Sequence, residues 1–234
     1  QASNGDVYYA VRKFDGYGKL SGKALDDLHA GERVEIDSYK KDPLDFVLWK
    51  SAKDNEPYWD SAFGKGRPGW HIECSAMAED ILGQTFDIHG GGQDLQFPHH
   101  ENELSQSRCA HGTPIFAKVW MHNGHLTIQG DKMSKSLGNF TNLLDLIEEH
   151  DPRAYRLLVL QAHYRSPVEV TTKTVQEAES ALARLDGVAR RTVDVAPAEP
   201  DAGVLAEFAA AMDDDLGTPQ AMAIVFGLAT RIHT

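Results

Sequence analysis

The stretch that decides the fold runs from Phe86 to His122. Phe86-Asp87-Ile88-His89 reads as a short buried strand and runs into Gly90-Gly91-Gly92-Gln93-Asp94. Phe97 to Cys109 reads as a helix with Pro98 in its first turn, where a missing N–H leaves no helical hydrogen bond unmade. Val119-Trp120-Met121-His122 is a second short strand. Strand, glycine loop, helix and strand in that order fit a parallel sheet, so the expected class is α/β.

Upstream, Gly64 to Gly69 reads as a tight loop that opens onto Trp70-His71-Ile72-Glu73-Cys74 and an amphipathic helix around Ser75–Leu82. Residues 1–60 carry short alternating segments at Val7–Val11, Arg33–Ile36 and Phe46–Trp49, with a short helix expected over Ser21–Ala30. Downstream the pattern becomes helical. Thr141 is the expected cap of one helix, and Asp151-Pro152 opens the next. Val175, Ala178, Leu182, Leu185 and Ala189 recur at helical spacing. Residues 192–202 form a Pro/Ala/Asp linker, after which Leu205, Phe208 and Met212 start one helix and Thr218-Pro219 the last.

The 234 residues include 41% hydrophobic and 25% charged side chains, a globular balance that excludes wholesale disorder. No apolar run reaches the ~20 residues of a membrane helix. Two cysteines cannot build a disulfide framework and suit a reducing, cytoplasmic setting. The net charge of −12 excludes a wholly basic nucleic-acid module, yet leaves room for a local basic face. The chain starts at Gln1 without a leader pattern and stops at Thr234 inside a helical one, which reads as a piece of a longer protein.

Three constellations carry chemistry. His99 and Glu103 stand four apart on one expected helix, with His100 between them and Cys74 upstream. Imidazole, carboxylate and thiolate are zinc ligands; from spacing alone, His99 and Glu103 read equally as a helix ion pair. Lys132-Met133-Ser134-Lys135-Ser136 puts two ammonium groups on a Ser/Gly-rich loop, suited to a triphosphate or to plain solvation. Gly90-Gly91-Gly92 lets backbone approach a ligand, and Asp94 can accept from ribose hydroxyls; a sharp turn needs the same glycines.

Together these segments resemble cysteinyl-tRNA synthetase. The resemblance rests on Gly66 to Met77, Phe86 to Gly92, Phe97 to Glu103, Lys132 to Phe140, His163 to Pro167 and Ala211 to Asp215, in order along essentially the whole chain. It implies the second half of a class I nucleotide-binding (Rossmann-type) parallel sheet with a connective peptide, followed by an α-helical region. The implied domains are a connective module at 1–60, the C-terminal half of the catalytic domain at 61–130, the signature loop and stem-contact helices at 131–191, the linker at 192–202, and the start of a helical bundle at 203–234.

The resemblance also implies ATP-dependent activation of cysteine and its transfer to tRNA(Cys), with ATP as a magnesium-bound substrate. It implies a four-ligand zinc site holding the substrate thiolate, with three ligands mapping onto Cys74, His99 and Glu103. Trp70 and His89 would line the cysteine pocket. Gly91, Gly92 and Asp94 would face the adenosine, with Lys132 and Lys135 on the phosphates. Arg153, Arg156 and Arg165 would help guide the tRNA. The family's early cysteine ligand and His-x-Gly-His motif are not in this sequence; His122-Asn123-Gly124-His125 imitates the latter at another place. The chain alone is therefore expected to be inactive, to hold zinc weakly, and to leave an apolar face or strand edge that invites a second copy, whereas the complete enzyme would be a monomer. The alternatives are the cysteine ligase of mycothiol biosynthesis, with an amino-sugar acceptor, and a non-catalytic zinc-binding protein of the same fold.

Overall fold

The computed structural model describes residues 1–25, 38–128, 131–132, 142–196 and 198–233. The expected strand at Arg33–Ile36, the second half of the expected helix at Ser21–Ala30, and Thr141 lie outside them. The chain divides into two compact units, Gln1–His122 and Asn123–Thr234.

In the first unit, β1 (Val7–Tyr9), β2 (Phe46–Ser51) and β3 (Gly66–Pro68) form an antiparallel sheet in that order. β3 occupies what the sequence reads as a loop. Its flanking glycines are there for close approach: a Cβ on Gly66 would run into the Lys50 carbonyl and the Trp49 indole, and one on Gly69 into the Val47 carbonyl. Val11, Phe14, Tyr17 and Phe46 close a core on which Phe97 and Leu104 pack.

Helix α1 spans Trp70–Leu82, beginning five residues before the expected Ser75. It stops at Gly83, whose φ of 88° a side chain would resist. β4 (Phe86–Gly92) and β5 (Ala117–Asn123) are neighbours joined through a helix, the connection that parallel strands need. Phe86, Phe116 and Ala117 form the core beneath them, with Leu104 reaching this cluster too.

The helix between these strands starts later than its sequence suggests. Proline disfavours helical geometry in the residue before it, and Phe97 is extended at φ −140°, ψ 133°. A wide turn over Gln96–His100 leads into regular helix only at α2, Glu101–His111. His99 and Glu103 therefore flank the junction of turn and helix.

In α2 the buried residues are Glu101, Asn102, Glu103, Ser105, Gln106 and Ser107, a polar set whose partners come in part from neighbouring elements. Gln106 Nε2 donates to Ser75 Oγ at 2.6 Å and to the His71 carbonyl at 2.7 Å, and Ser107 Oγ donates to Ser75 Oγ at 2.9 Å. These bonds pin α2 to α1. Ser21 donates from both backbone and hydroxyl to Glu101 Oε2 at 3.0 Å, and Tyr17 donates to Asn102.

In the second unit, β6 (Leu126–Ile128) pairs antiparallel with β7 (Asp131–Lys132) and parallel with β8 (Val168–Glu169). Helix α3 (Leu143–Glu149) is capped by Asn142 rather than by Thr141; its side chain accepts from Leu144 N. Asp151 caps α4 (Pro152–Leu160), with Pro152 at its start. Thr171 and Thr174 make a reciprocal cap on α5 (Thr172–Arg191), whose Val175 and Ala178 are buried against α4. Asp201 caps α6 (Ala202–Asp213), and α7 (Thr218–His233) returns against it and α5.

The turn between α6 and α7 holds Asp215 and Leu216 at φ 51° and 55°, a costly region for side-chain-bearing residues. Tyr164 OH, Arg165 Nε and Arg165 Nη2 donate to the Asp215 carboxylate at 2.7, 2.6 and 3.0 Å, which holds the turn. No helix among the described residues is long and apolar enough to cross a membrane.

Candidate metal centre

One helix, the turn before a second, and two strands converge on Glu103. α1 presents Trp70, His71 and Cys74; the turn before α2 presents His99 and His100; β4 presents His89; β5 carries His122 next to its last residue. Glu103 is fully buried, and His99 Nε2 lies 2.6 Å from its Oε1 while His89 Nε2 lies 3.0 Å from Oε2. Neither approach is aligned as a hydrogen bond, so both carboxylate oxygens are buried without a donor. Burial alone would raise the Glu103 carboxyl; the two imidazoles beside it outweigh burial and hold it at about 2.

Cys74, His99 and Glu103 bring one donor atom each to within 4.8 Å of one another. Sulfur, nitrogen and oxygen donors around an orphaned buried carboxylate oxygen fit a borderline-soft divalent ion such as zinc. The Cys74 thiol is half-buried, and burial, then Glu103 and Glu73, push its pKa up. His71 Nδ1 lies 2.8 Å from His99 Nδ1, a hydrogen bond that fixes the His99 ring and turns its Nε2 toward Glu103. Trp70 stacks on His99 with ring centroids 4.2 Å apart, although it is 59% exposed, so its outer face borders solvent.

The structure therefore brings Cys74, His99, Glu103, His89 and Trp70 into one neighbourhood. Gly91 belongs there as well: a Cβ on it would stand 2.9 Å from His100 Cε1 and 3.0 Å from Leu95 Cδ1. Gly91→Ala should displace the His100 ring and lower stability by ~1–3 kcal/mol, the usual cost of overpacking; chemical denaturation reads this out. A Cβ on Gly92 would stand 2.6 Å from Asp94 Oδ1, so Gly92 and Asp94 adjoin in the turn after β4. Lys132 lies in the backbone of β7, in the second unit, and Lys135 lies outside the described residues. Cys109 contacts Tyr9 OH at 3.1 Å and stands apart from this donor set.

Sequence reading underplayed His71 and His122. His122 Nε2 lies 2.8 Å from His100 Nδ1, and the signal for it was its place at the end of a strand beside the glycine strand. Burial first, then neighbouring histidines, lower both His71 and His100 to about 4. The unfolded chain thus takes up more protons than the folded one between pH ~6.5 and 4, so stability falls as pH falls through that window. Glu103, depressed in the fold, extends the loss from its ordinary range down to about 2. Thermal unfolding midpoints should drop steadily below pH 6.5, and His71→Asn should flatten the slope.

With that geometry in view, the comparisons are specific. The family of tRNA synthetases class I (C) catalytic domains matches residues 1–180, and the DALR domain matches residues 207–234. The chain belongs to the first of these families. The cysteine–tRNA ligase of Acidovorax sp. (strain JS42) is 57% identical over 238 residues, covering 100% of this chain and 52% of that protein. The cysteine–tRNA ligase of Chromobacterium violaceum is 54% identical, covering 99% and 51%, and that of Neisseria gonorrhoeae 52% identical, covering 99% and 53%. The chain thus spans about half the length of these relatives. Its fold is similar to that of Agrobacterium radiobacter K84 agnB2 LeuRS, solved in a ternary complex with tRNA and LeuAMS. The TM-score is 0.58 at 14% identity, over 80% of this chain and 28% of that one. Family and likeness together make this a class I synthetase fold, mixed α/β with helices at its C-terminal end.

Proposed function

We propose that the full-length protein is a cysteine–tRNA ligase. It activates cysteine with ATP and transfers it to tRNA(Cys). The observation that carries this reading is the convergence of Cys74, His99 and Glu103 on one point, in a chain 57% identical to such a ligase.

Zinc held by Cys74, His99 and Glu103 would supply a thiophilic Lewis acid that binds the substrate thiol as thiolate. Serine offers a hard hydroxyl in place of sulfur, so the same ligands select against it. Trp70 and His89 wall the amino-acid pocket, one by its flat exposed face and the other from β4. The cysteine carboxylate oxygen attacks the α-phosphorus of ATP; a new O–P bond forms, the bond to the β-phosphate bridging oxygen breaks, and pyrophosphate leaves. No covalent enzyme intermediate is needed, so positioning and charge stabilisation perform the catalysis. Gly91, Gly92 and Asp94 serve the adenosine, and Lys132 and Lys135 neutralise charge growing on pyrophosphate.

Of the arginines offered to tRNA, Arg153 bonds Asp151 and Asp186 at 2.7 and 3.0 Å, and Arg165 bonds Asp215. A phosphate would have to compete with those carboxylates, which leaves exposed Arg156 the readier contact. Charging of tRNA(Cys) with radiolabelled cysteine by the full-length protein tests the reading. Cysteinyl-tRNA is the expected product; cysteine transferred to an amino sugar, with no charging of tRNA, would overturn it.

A further inference from the structure

Just after α4, the segment His163-Tyr164-Arg165 spends all three of its side chains on one residue of the turn between α6 and α7. Tyr164 OH donates to Asp215 Oδ1 at 2.7 Å, Arg165 Nε to Oδ2 at 2.6 Å, and Arg165 Nη2 to Oδ1 at 3.0 Å. His163 Nδ1 accepts from the Arg165 amide at 3.3 Å, so the ring proton sits on Nε2, which donates to the Asp215 carbonyl at 3.0 Å. Thr218 Oγ1 adds a bond to the Ala162 carbonyl at 3.2 Å. Glycine would make the turn at φ 51° without strain; aspartate brings a carboxylate to it.

The backbone of the same segment makes a second attachment. The Tyr164 carbonyl accepts from Gly124 N at 2.7 Å, and a Cβ on Gly124 would run into the Ser166 carbonyl. Two residues after Gly124 the chain enters β6. β8 holds one edge of β6, with Val168 N donating to the His125 carbonyl and Val170 N to the Thr127 carbonyl, both at 2.9 Å. β7 holds the other edge, where Thr127 stands opposite Lys132. Asp215, Tyr164, Gly124, β6 and β7 therefore follow one another through short bonds inside the second unit, with Lys132 at the far end.

We infer that Asp215 is a positioning residue for Lys132. Through Tyr164, Arg165 and Gly124, a side chain in the region matched by the DALR domain sets the place of the β6–β7 pair, and with it the rate of cysteine activation. The inference rests on the ligase reading, in which Lys132 neutralises charge on pyrophosphate. Asp215 touches no reactant in this scheme, so its loss lowers kcat and leaves the KM for cysteine alone.

Two measurements on the full-length protein test it. Asp215→Gly removes the carboxylate while suiting the positive φ, so the turn itself is relieved. Arg165→Met removes the opposite partner. Both should speed hydrogen–deuterium exchange of the amides from Gly124 to Ile128. Both should also lower kcat for cysteine-dependent ATP–pyrophosphate exchange by ~10-fold, with KM for cysteine unmoved. Asp215→Asn tolerates the same backbone and keeps an acceptor for Tyr164, so it should recover part of that loss. Arg184→Met loosens α7 from α5, removing a bond to Thr230 and a place over the Phe226 ring, and should change neither quantity. Unchanged amide exchange in Asp215→Gly, or an equal loss of kcat in Arg184→Met, would overturn the inference. Full kcat in both Asp215→Gly and Arg165→Met would overturn it and leave the ligase reading standing, whereas a wild type inactive with cysteine would overturn both.

Discussion

Glu103→Ala in the full-length protein should abolish retention of zinc through gel filtration and reduce cysteine-dependent ATP–pyrophosphate exchange by more than ~100-fold. That floor is the cost of a ~1 Å misplacement of reacting groups, and loss of a shared ligand displaces the substrate thiol altogether. Glu103 is the side chain on which the Cys74–His99 donor set depends, with His99 and His89 at 2.6 and 3.0 Å from its two oxygens. Removing it leaves a void among His89, His99 and His100, so circular dichroism should accompany the assay. Cys74→Ala provides the check: it is only half-buried, so its loss of zinc and exchange reports ligation and not folding. Exchange within tenfold of wild type in both variants would contradict the metal assignment.

Lys135→Ala should lower kcat for exchange by ~10²–10³ while the KM for cysteine barely moves, the cost expected when one preorganised donor to transition-state charge is removed. The proposed cysteine pocket draws on α1, β4 and the turn before α2, and none of these contains the lysine loop. A variant with raised KM for cysteine and unchanged kcat would place Lys135 in amino-acid binding instead. Lys132→Ala should show the same signature.

The order of strands and helices around β4, α2 and β5 was legible because alternation, glycine and proline each have a local physical cause. The Asp151 cap and the α5 stripe were legible for the same reason: a cap needs a short polar side chain, and a buried face needs apolar residues at helical spacing. Three features were not. β3 passes for a loop because its glycines serve close strand approach, and composition does not separate that use from a turn. The start of α2 moved from Phe97 to Glu101 because proline constrains the residue before it. The face of α2 that is buried is polar, Glu101 to Ser107, so hydrophobic periodicity is silent about the helix that carries the site.

The site itself was half legible. Spacing put His99 and Glu103 on one face but left an ion pair as an equal reading; Cys74 joins them only through the packing of α1 on α2 by Ser75, Gln106 and Ser107. The supporting pairs His71–His99 and His100–His122 depend on ring orientation, which no spacing rule encodes.

The most direct measurement is ATP–pyrophosphate exchange by the full-length protein with cysteine and with serine, before and after chelation and again after zinc is restored. Exchange should be strong with cysteine and negligible with serine, collapse on chelation, and return with zinc. Cysteine-dependent exchange that survives complete removal of metal, with serine still rejected, would show that Cys74, His99 and Glu103 do not select the thiol through a cation.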